Sequence, residues 1–540
     1  MLRRLHAAAD WLEAHATYVA LVLIALMALS AFGRAASRLI WYDEIVTYGA
    51  AALPHWRDVW NFYAQGLDTP SPISSLLVHA TMHWPGSPEI NIRLPFLLAF
   101  LVMLFCMYLF LRRRYPAGFA LAAILIPIRF DRWFYYAFEA RAYAFLLAGT
   151  AIAMVCWQAA PSSRRPGRAA FGVWLGLALA IFAHAFAIFL FIPFAAGQWV
   201  RDRTRRAITW SMWLALLLYP IGYLPVLPGE QNAGHFYRAH FFARPHLTLI
   251  PGLYRFYLGD LWFFVLLFMV LGMGLVAYQN RRALASQHPS STDFPAGLAA
   301  QGTSAAGFST AEWVFVALLA ALPAYAVPGA MLLGAIREPY VVPFNIGLWL
   351  LLLGALAEAL RRRRLAGGLL LVATIACLVL DLDSFVAALQ YLPRPGQAHL
   401  DRIRQVRTLP LVQSLEKSDL PILVGDHVLY AKVFFYADPA LRAQLFYAVD
   451  PVASRGYDKA ATVKTNFDLF GSILGFHTVN WTAFSRQHDR FLLFQGNDPF
   501  ISFFPYLEDR MQRGDPIAMK LIRINDEGTM ALYDVQLGSR

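Results

Sequence analysis

A polytopic α-helical membrane protein with a small α/β soluble domain at its C-terminal end is the fold class this sequence predicts, on three observations. Of 540 residues, 58% are hydrophobic and 15% charged, against about 25% charged in an ordinary soluble chain. Long apolar stretches recur from Tyr18 to about Phe385, which places most of the chain in lipid. After Tyr391 the composition becomes ordinary, with mixed charge and short β-rich runs. The domain boundary is therefore expected between a membrane domain, 1–390, and a soluble α/β domain, 391–540.

A helix needs about 20 apolar residues to cross a bilayer. Segments 18–36, 93–111, 116–137, 140–160, 169–183, 185–200, 207–227, 260–279, 312–332, 340–360 and 366–386 meet or approach that requirement, roughly eleven spans by this criterion. The first follows Arg3 and Arg4 in the manner of a signal peptide, and is read as an uncleaved span. The two segments between Arg168 and Arg201 are short, and count as two crossings because both flanks are basic. Basic clusters occur at Arg3/Arg4, Arg112–Arg114, Arg164/Arg165/Arg168, Arg201–Arg206, Arg281/Arg282 and Arg361–Arg364. With eleven crossings and an inside N-terminus, every cluster falls on the cytoplasmic side, and the region after Tyr391 lies outside. The net charge of +12 is thus explained by insertion into membrane lipids, and nucleic acid is not an expected partner. The three cysteines, Cys106, Cys156 and Cys377, all lie in apolar segments, so no disulfide framework is implied.

Ile73–Trp84 is too short to cross. It reads as a surface helix within one long outer loop, 37–92, whose Trp41, Tyr42, Tyr48, Trp56, Trp60 and Tyr63 suit a membrane interface. Ala285–Thr310, rich in Ser, Ala, Gly and Pro, reads as a flexible cytoplasmic loop.

Three groups of residues collect on the outer face. Asp43-Glu44 follows the first span. Adjacent carboxylates there can supply a general base or a metal ligand, or simply cap the next helix. Glu139-Ala140-Arg141-Ala142-Tyr143 stands at the end of the third span. An arginine at the membrane edge can grip phosphate oxygens bidentately, or pair with Glu139 to anchor the helix. Arg337-Glu338-Pro339-Tyr340 lies between the ninth and tenth spans, and the outer loop Pro228–Gly259 adds His235, Arg238, His240, Arg244, His246 and Arg255. Positive charge outside runs against the insertion rule, and an anionic ligand would explain it. His184 lies between two short spans, facing a polar cavity or serving in packing. His79 and His83 sit four apart, with no third metal ligand apparent. Asp68-Thr69-Pro70-Ser71-Pro72 reads as a helix start.

At these residues the chain resembles the GT-C glycosyltransferases that use lipid-linked sugars. These include the protein O-mannosyltransferases and the aminoarabinose transferases of lipid A. The resemblance covers roughly the first 390 residues. The Asp-Glu pair of that family matches Asp43-Glu44. Its D-x-x-P-P-L-Y-like element matches Asp68–Ile73, with Ser74 and Ser75 where tyrosines are expected. Its R-L-P-S-like start matches Arg93-Leu94-Pro95-Phe96, and its E-A-R-x-Y element matches Glu139–Tyr143. A late Arg-Tyr pair is split here into Arg337 and Tyr340 by Glu338-Pro339.

The resemblance implies a GT-C-like bundle and inverting sugar transfer from a polyprenyl-phosphate donor to a lipid, glycan or protein acceptor, on the outer face of a bacterial inner membrane. It implies Asp43 as general base and Glu44 as its partner, orienting Arg141 or an acceptor. Arg141 and Arg337, with Glu139 and Tyr143, would hold the donor phosphate, and Asp68, His184 and Tyr340 would line the cavity. A divalent ion (Mg or Mn) bridging Asp43 and the phosphate is compatible with it, though the sequence holds no dedicated ligand cluster. No Gly-rich nucleotide fingerprint is present, in keeping with a lipid-linked donor. A transporter or flippase of a lipid-linked glycan is the rival reading. It calls for broken or charged midplane helices and internal repeats, neither of which is evident.

In the soluble domain, strands are expected at Pro421–Val424, Val433–Tyr436, Arg490–Phe494 and Thr529–Val535. Its aromatic residues are expected to form a core. Its role is left open between acceptor binding and covering the cavity.

Overall fold

The structure, a computed structural model, describes residues 2–67, 71–237, 244–267, 270–271, 274, 307–448, 471, 473–496 and 503–538. Among these, five helices are long and apolar enough to cross a membrane: Ala16–Ser37, Pro88–Arg112, Tyr143–Ser162, Pro166–Ala183 and Leu249–Leu267. Three helix pairs bent by 53–60° raise the number to eight if each is one span, and Ala117–Arg129 and Phe344–Ala359 are shorter apolar helices. The number of helices that meet the length and composition requirement is thus below the eleven expected. The reason is that several apolar segments are broken. The stretch 169–200, expected as two spans, is the helix Pro166–Ala183, a 3-10 segment Ala185–Leu190 and the helix Phe191–Arg205. The expected loop Ala285–Thr310 lies mostly outside the described residues.

Among the described residues, Arg112, Arg114, Arg201 and Arg364 from three of the basic clusters gather at one end of the bundle. Arg112 pairs with Glu13 at 3.0 Å, Arg114 with buried Glu312 at 3.0 Å, and Arg364 with Asp10 at 2.8 Å. The 19-residue helix Leu94–Arg112 runs from that end to the other, a rise of about 28 Å. At the far end Arg93 meets the loop that follows the first span. The helices Tyr143–Ala159 and Pro166–Ala183 approach closely at Gly149 and Gly176, where a Cβ on Gly149 would lie 2.5 Å from the Gly176 carbonyl oxygen. Small residues permit such approach.

The outer-loop segment expected as a surface helix is the helix Ile73–Thr81. It packs under the helix Tyr42–Ala51, where His79 Nδ1 lies 2.7 Å from the Ala51 carbonyl oxygen.

The C-terminal region contains a six-stranded sheet of order β3-β2-β1-β4-β6-β5. The strands are β1 (Ile422–Val424), β2 (Leu445–Ala448), β3 (Thr478–Val479), β4 (Arg490–Gly496), β5 (Ile517–Ile524) and β6 (Met530–Leu537). β1 pairs in parallel with β2 and β4, and β2 with β3, while β6 runs antiparallel to β4 and β5. The strand expected at Val433–Tyr436 is instead the end of a helix, His427–Tyr436. Asp426 decides this: its Oδ1 accepts the N–H groups of Val428 and Leu429 at 2.7 and 3.1 Å, a helix N-cap. Phe434, Tyr436, Trp481, Phe491, Phe494 and Phe503 are buried core, as expected.

This helix faces the helix Tyr42–Ala51. Tyr42 stacks edge-on to His427 at 4.7 Å and Tyr48 to Phe435 at 5.4 Å. The Tyr436 hydroxyl accepts the Ile40 N–H at 2.9 Å and donates to Glu89 at 3.0 Å, and His399 Nδ1 lies 3.0 Å from the same Glu89 oxygen. The C-terminal region therefore buttresses the loop that carries Asp43.

Candidate functional site

The chain leaves the first span at Ser37, turns, and starts a new helix at Tyr42. Two carboxylates in its first turn suit the positive end of the helix dipole. Their surroundings separate them. Asp43 keeps 35% of its side chain exposed, whereas Glu44 is wholly buried.

Glu44 is consumed by Arg93. Arg93 Nε donates to Glu44 Oε1 at 2.8 Å and Nη2 to Oε2 at 2.6 Å. The remaining guanidinium hydrogens go to the carbonyl oxygens of Ala35, Arg38 and Leu39 at 2.6, 3.0 and 3.0 Å. Glu44 also accepts the N–H groups of Ala140 at 2.9 Å and Trp41 at 3.3 Å. Burial alone would push the Glu44 pKa up, but the charge and hydrogen bonds of Arg93 outweigh it and hold the carboxyl below its usual range. With both oxygens engaged, Glu44 has no lone pair left to orient Arg141 or an acceptor. Its hydrogen bonds clamp the turn to Arg93 and Ala140. Arg93, recognised in the sequence only as the opening of a motif, is what holds this turn.

Ala140, bonded to Glu44, draws the E-A-R-x-Y element against the turn. There Arg141 Nε lies 3.8 Å from Asp43 Oδ2, and its Nη1 donates to Thr47 Oγ1 at 3.3 Å. Glu139 is 3% exposed, and its Oε2 has no hydrogen-bond partner among the described residues. Burial, then the nearby charges of Glu44 and Asp43, push its pKa up to about 8 against the pull of Arg38 and Arg141. In its protonated form Glu139 can donate a hydrogen bond where a carboxylate would repel an anion.

The helix break at His184 brings the third part together. His184 Nδ1 accepts the Phe186 N–H at 3.2 Å, so the proton sits on Nε2, which is buried without a partner among the described residues. The His184 ring lies 5.9 Å from that of Tyr143 and 4.3 Å from that of Tyr340. Tyr340 sits within electrostatic reach of Arg337, Arg141 and Asp43. Arg337 also pairs with Glu338 at 3.3 Å. Asp43, Glu139, Arg141, Tyr143, His184, Arg337 and Tyr340 thus come from four separate stretches of chain to one place. Asp68 lies outside the described residues.

Glu230, within reach of Tyr340, was missed in the sequence. An acidic residue in an outer loop that otherwise carries only basic charge was the available signal. Among the described residues no group of three or more His, Cys, Asp or Glu could hold a metal ion. Asp43 faces the Arg141 guanidinium, and Glu44 is bonded to Arg93.

No protein-family model matches the chain, and no curated protein gives a significant match. Among solved structures, the crystal structure of ArnT from Cupriavidus metallidurans in the apo state is similar, with TM-score 0.54 and 13% identity over 98% of each chain. The same protein bound to undecaprenyl phosphate gives TM-score 0.53 and 13% identity, over 95% of this chain and 97% of that one. The likeness extends through the C-terminal region. The chain therefore has a fold similar to that of the ArnT structures.

Proposed function

We propose that this protein is an inverting glycosyltransferase that moves a sugar from a polyprenyl-phosphate donor to an acceptor hydroxyl. The observation that carries this reading is the Asp43–Arg141 pair, 3.8 Å apart and part-exposed, on a fold whose neighbour ArnT has been crystallised with undecaprenyl phosphate. A proton acceptor and a phosphate-binding cation stand side by side, as transfer from a sugar phosphate requires.

Before the donor binds, Arg141 holds Asp43 as an ion pair at 3.8 Å. A donor phosphate would compete for the guanidinium, with the protonated Glu139 and the Nε2–H of His184 as further donors. Asp43, released, takes the acceptor hydroxyl proton as the acceptor oxygen attacks the anomeric carbon. The bond from that carbon to the phosphate oxygen breaks, and its electron pair leaves with polyprenyl phosphate. Arg141 and Arg337 stabilise that charge as it develops. Glu44 acts only by keeping Asp43 in place. The site and residues 391–540 face the outside of a bacterial inner membrane in this reading, and the gathering of basic clusters at the opposite end supports it.

The test is transfer of radiolabelled sugar from membranes containing polyprenyl-phosphate donors. Asp43→Asn is expected to lower transfer by about 10²–10⁴-fold, with undecaprenyl phosphate binding retained. Arg141→Gln is expected to weaken both. Equal transfer in wild type and Asp43→Asn removes Asp43 from the chemistry. Donor translocation without transfer would favour the flippase reading.

A further inference from the structure

The helix Gln397–Arg407 packs against the first span and the short helix Pro88–Asn91. Two of its side chains, three residues apart and so on one face, reach the outer loop. Arg402 donates to the Ser37 carbonyl oxygen. His399 Nδ1 lies 3.0 Å from Glu89 Oε1, which also accepts the Tyr436 hydroxyl at 3.0 Å. Tyr436 in turn accepts the Ile40 N–H at 2.9 Å. The backbone from Ser37 to Ile40, which leads into Asp43, is thus held at both ends by the C-terminal region.

Glu89 is the centre of this junction. It has no exposed surface, and its Oε2 is buried with no hydrogen-bond partner among the described residues. The other polar groups around it are engaged or uncharged. Arg93, within electrostatic reach, is bonded to Glu44 and to three carbonyl oxygens. Tyr48, on the helix Tyr42–Ala51, is also within reach of Glu89. Asp401, on the His399 helix, accepts from Tyr391 and Gln397 at 3.1 and 2.8 Å. Among the described residues, His399 is the one side chain in ion-pair contact with Glu89. Its ring packs 6.2 and 5.9 Å from those of Phe435 and Tyr436. It keeps 28% of its side chain exposed, so the surrounding solution sets its proton.

A buried carboxylate left without an opposite charge is costly. Histidine changes charge between about pH 5 and 8. When His399 loses its proton, its N–H can still donate, but the opposite charge is gone. The contact is therefore firmer in mild acid and weakens as pH rises.

We propose that His399 is a positioning residue for the Asp43 loop. Protonated, it pairs with Glu89 and seats the C-terminal region on Ser37–Ile40; neutral, it lets that stretch loosen, and sugar transfer slows. The effect on transfer rests on the glycosyltransferase reading above, whereas the effect on the junction does not.

The test compares full-length wild type, His399→Gln and His399→Lys in nanodiscs at about pH 6 and about pH 8. Glutamine keeps a donor without charge, and lysine keeps the charge at both values. Two quantities are read: deuterium uptake by the amides of Ile40–Glu44, and transfer of radiolabelled sugar. Comparison at one pH cancels the titration of Glu139, which all three proteins share. At the lower pH, wild type should match His399→Lys, and His399→Gln should take up deuterium about two- to fivefold faster. At the higher pH, wild type should move to the His399→Gln level while His399→Lys stays protected. Transfer should follow protection in the same order, with undecaprenyl phosphate affinity unchanged. Uptake that keeps one ratio among the three proteins at both pH values overturns the proposal. Protection that follows the pattern while transfer ignores it also overturns it, since His399 would then support the fold without positioning Asp43. If wild type transfers no sugar, the glycosyltransferase reading fails, and uptake alone decides whether His399 locks the junction.

Discussion

Asp43 and Glu44 are neighbours in sequence and opposites in circumstance. One helix step turns Asp43 toward Arg141 and leaves it part-exposed, while Glu44 is sealed against Arg93. A buried pair of this kind adds little net stability, but losing one partner strands the other's charge. Arg93→Met is therefore expected to destabilise the protein by about 3–5 kcal/mol, read as a lower thermal midpoint in detergent. Arg93→Lys, a milder change, should preserve folding and lower transfer, because one ammonium group cannot hold three carbonyl oxygens and a carboxylate together. Glu139 makes a pH-dependent prediction. Its pKa in the folded state is raised to about 8 from 4.5. Between these values the unfolded chain has lost the proton that the folded protein keeps, so stability falls as pH rises through this window. Glu139→Gln should remove that slope, and a thermal-shift series from pH 5 to about 9 would measure it. An unchanged slope in the variant would assign the dependence to another group.

Two kinds of helix feature build the site at the scale of elements. One is close approach at glycine. Gly149→Leu would drive a side chain into the backbone of the helix Pro166–Ala183, at a cost of about 1–3 kcal/mol or more. It should lower thermal stability and also transfer, because Tyr143 and His184 ride on these two helices. The other is interruption. Had 166–205 been one continuous helix, His184 would not cap a 3-10 turn, and its ring would not meet Tyr143 and Tyr340. Breaks like this one also explain why counting apolar residues exceeds the number of long spans.

Across the whole molecule, Arg112, Arg114 and Arg364 mark one end of the bundle, and the site with its buttress lies at the other. The C-terminal region meets the Asp43 loop through Tyr436, whose hydroxyl joins Ile40 and Glu89. Tyr436→Phe leaves both without that partner, at a cost of about 1–3 kcal/mol. Transfer should fall while undecaprenyl phosphate affinity stays within about twofold, the KM-against-kcat split expected when a support and not a ligand contact is lost. A fall in donor affinity instead would place the buttress in donor binding.

Composition and hydropathy were enough to determine a membrane bundle followed by a β-rich C-terminal region, because lipid demands long apolar helices whatever their partners. Local patterns also marked Asp43, Glu139, Arg141, His184, Arg337 and Tyr340, since charge at a membrane edge is conspicuous. Residue patterns could not say which carboxylate of Asp43-Glu44 is available, because that depends on Arg93, 49 residues from Glu44. Nor could they show that Val433–Tyr436 is helical, where a single capping aspartate outweighs a short apolar run. The junctions of Tyr436 and of His399 with Glu89 were decided only by the tertiary structure. Each depends on contacts between distant segments, which no local spacing encodes.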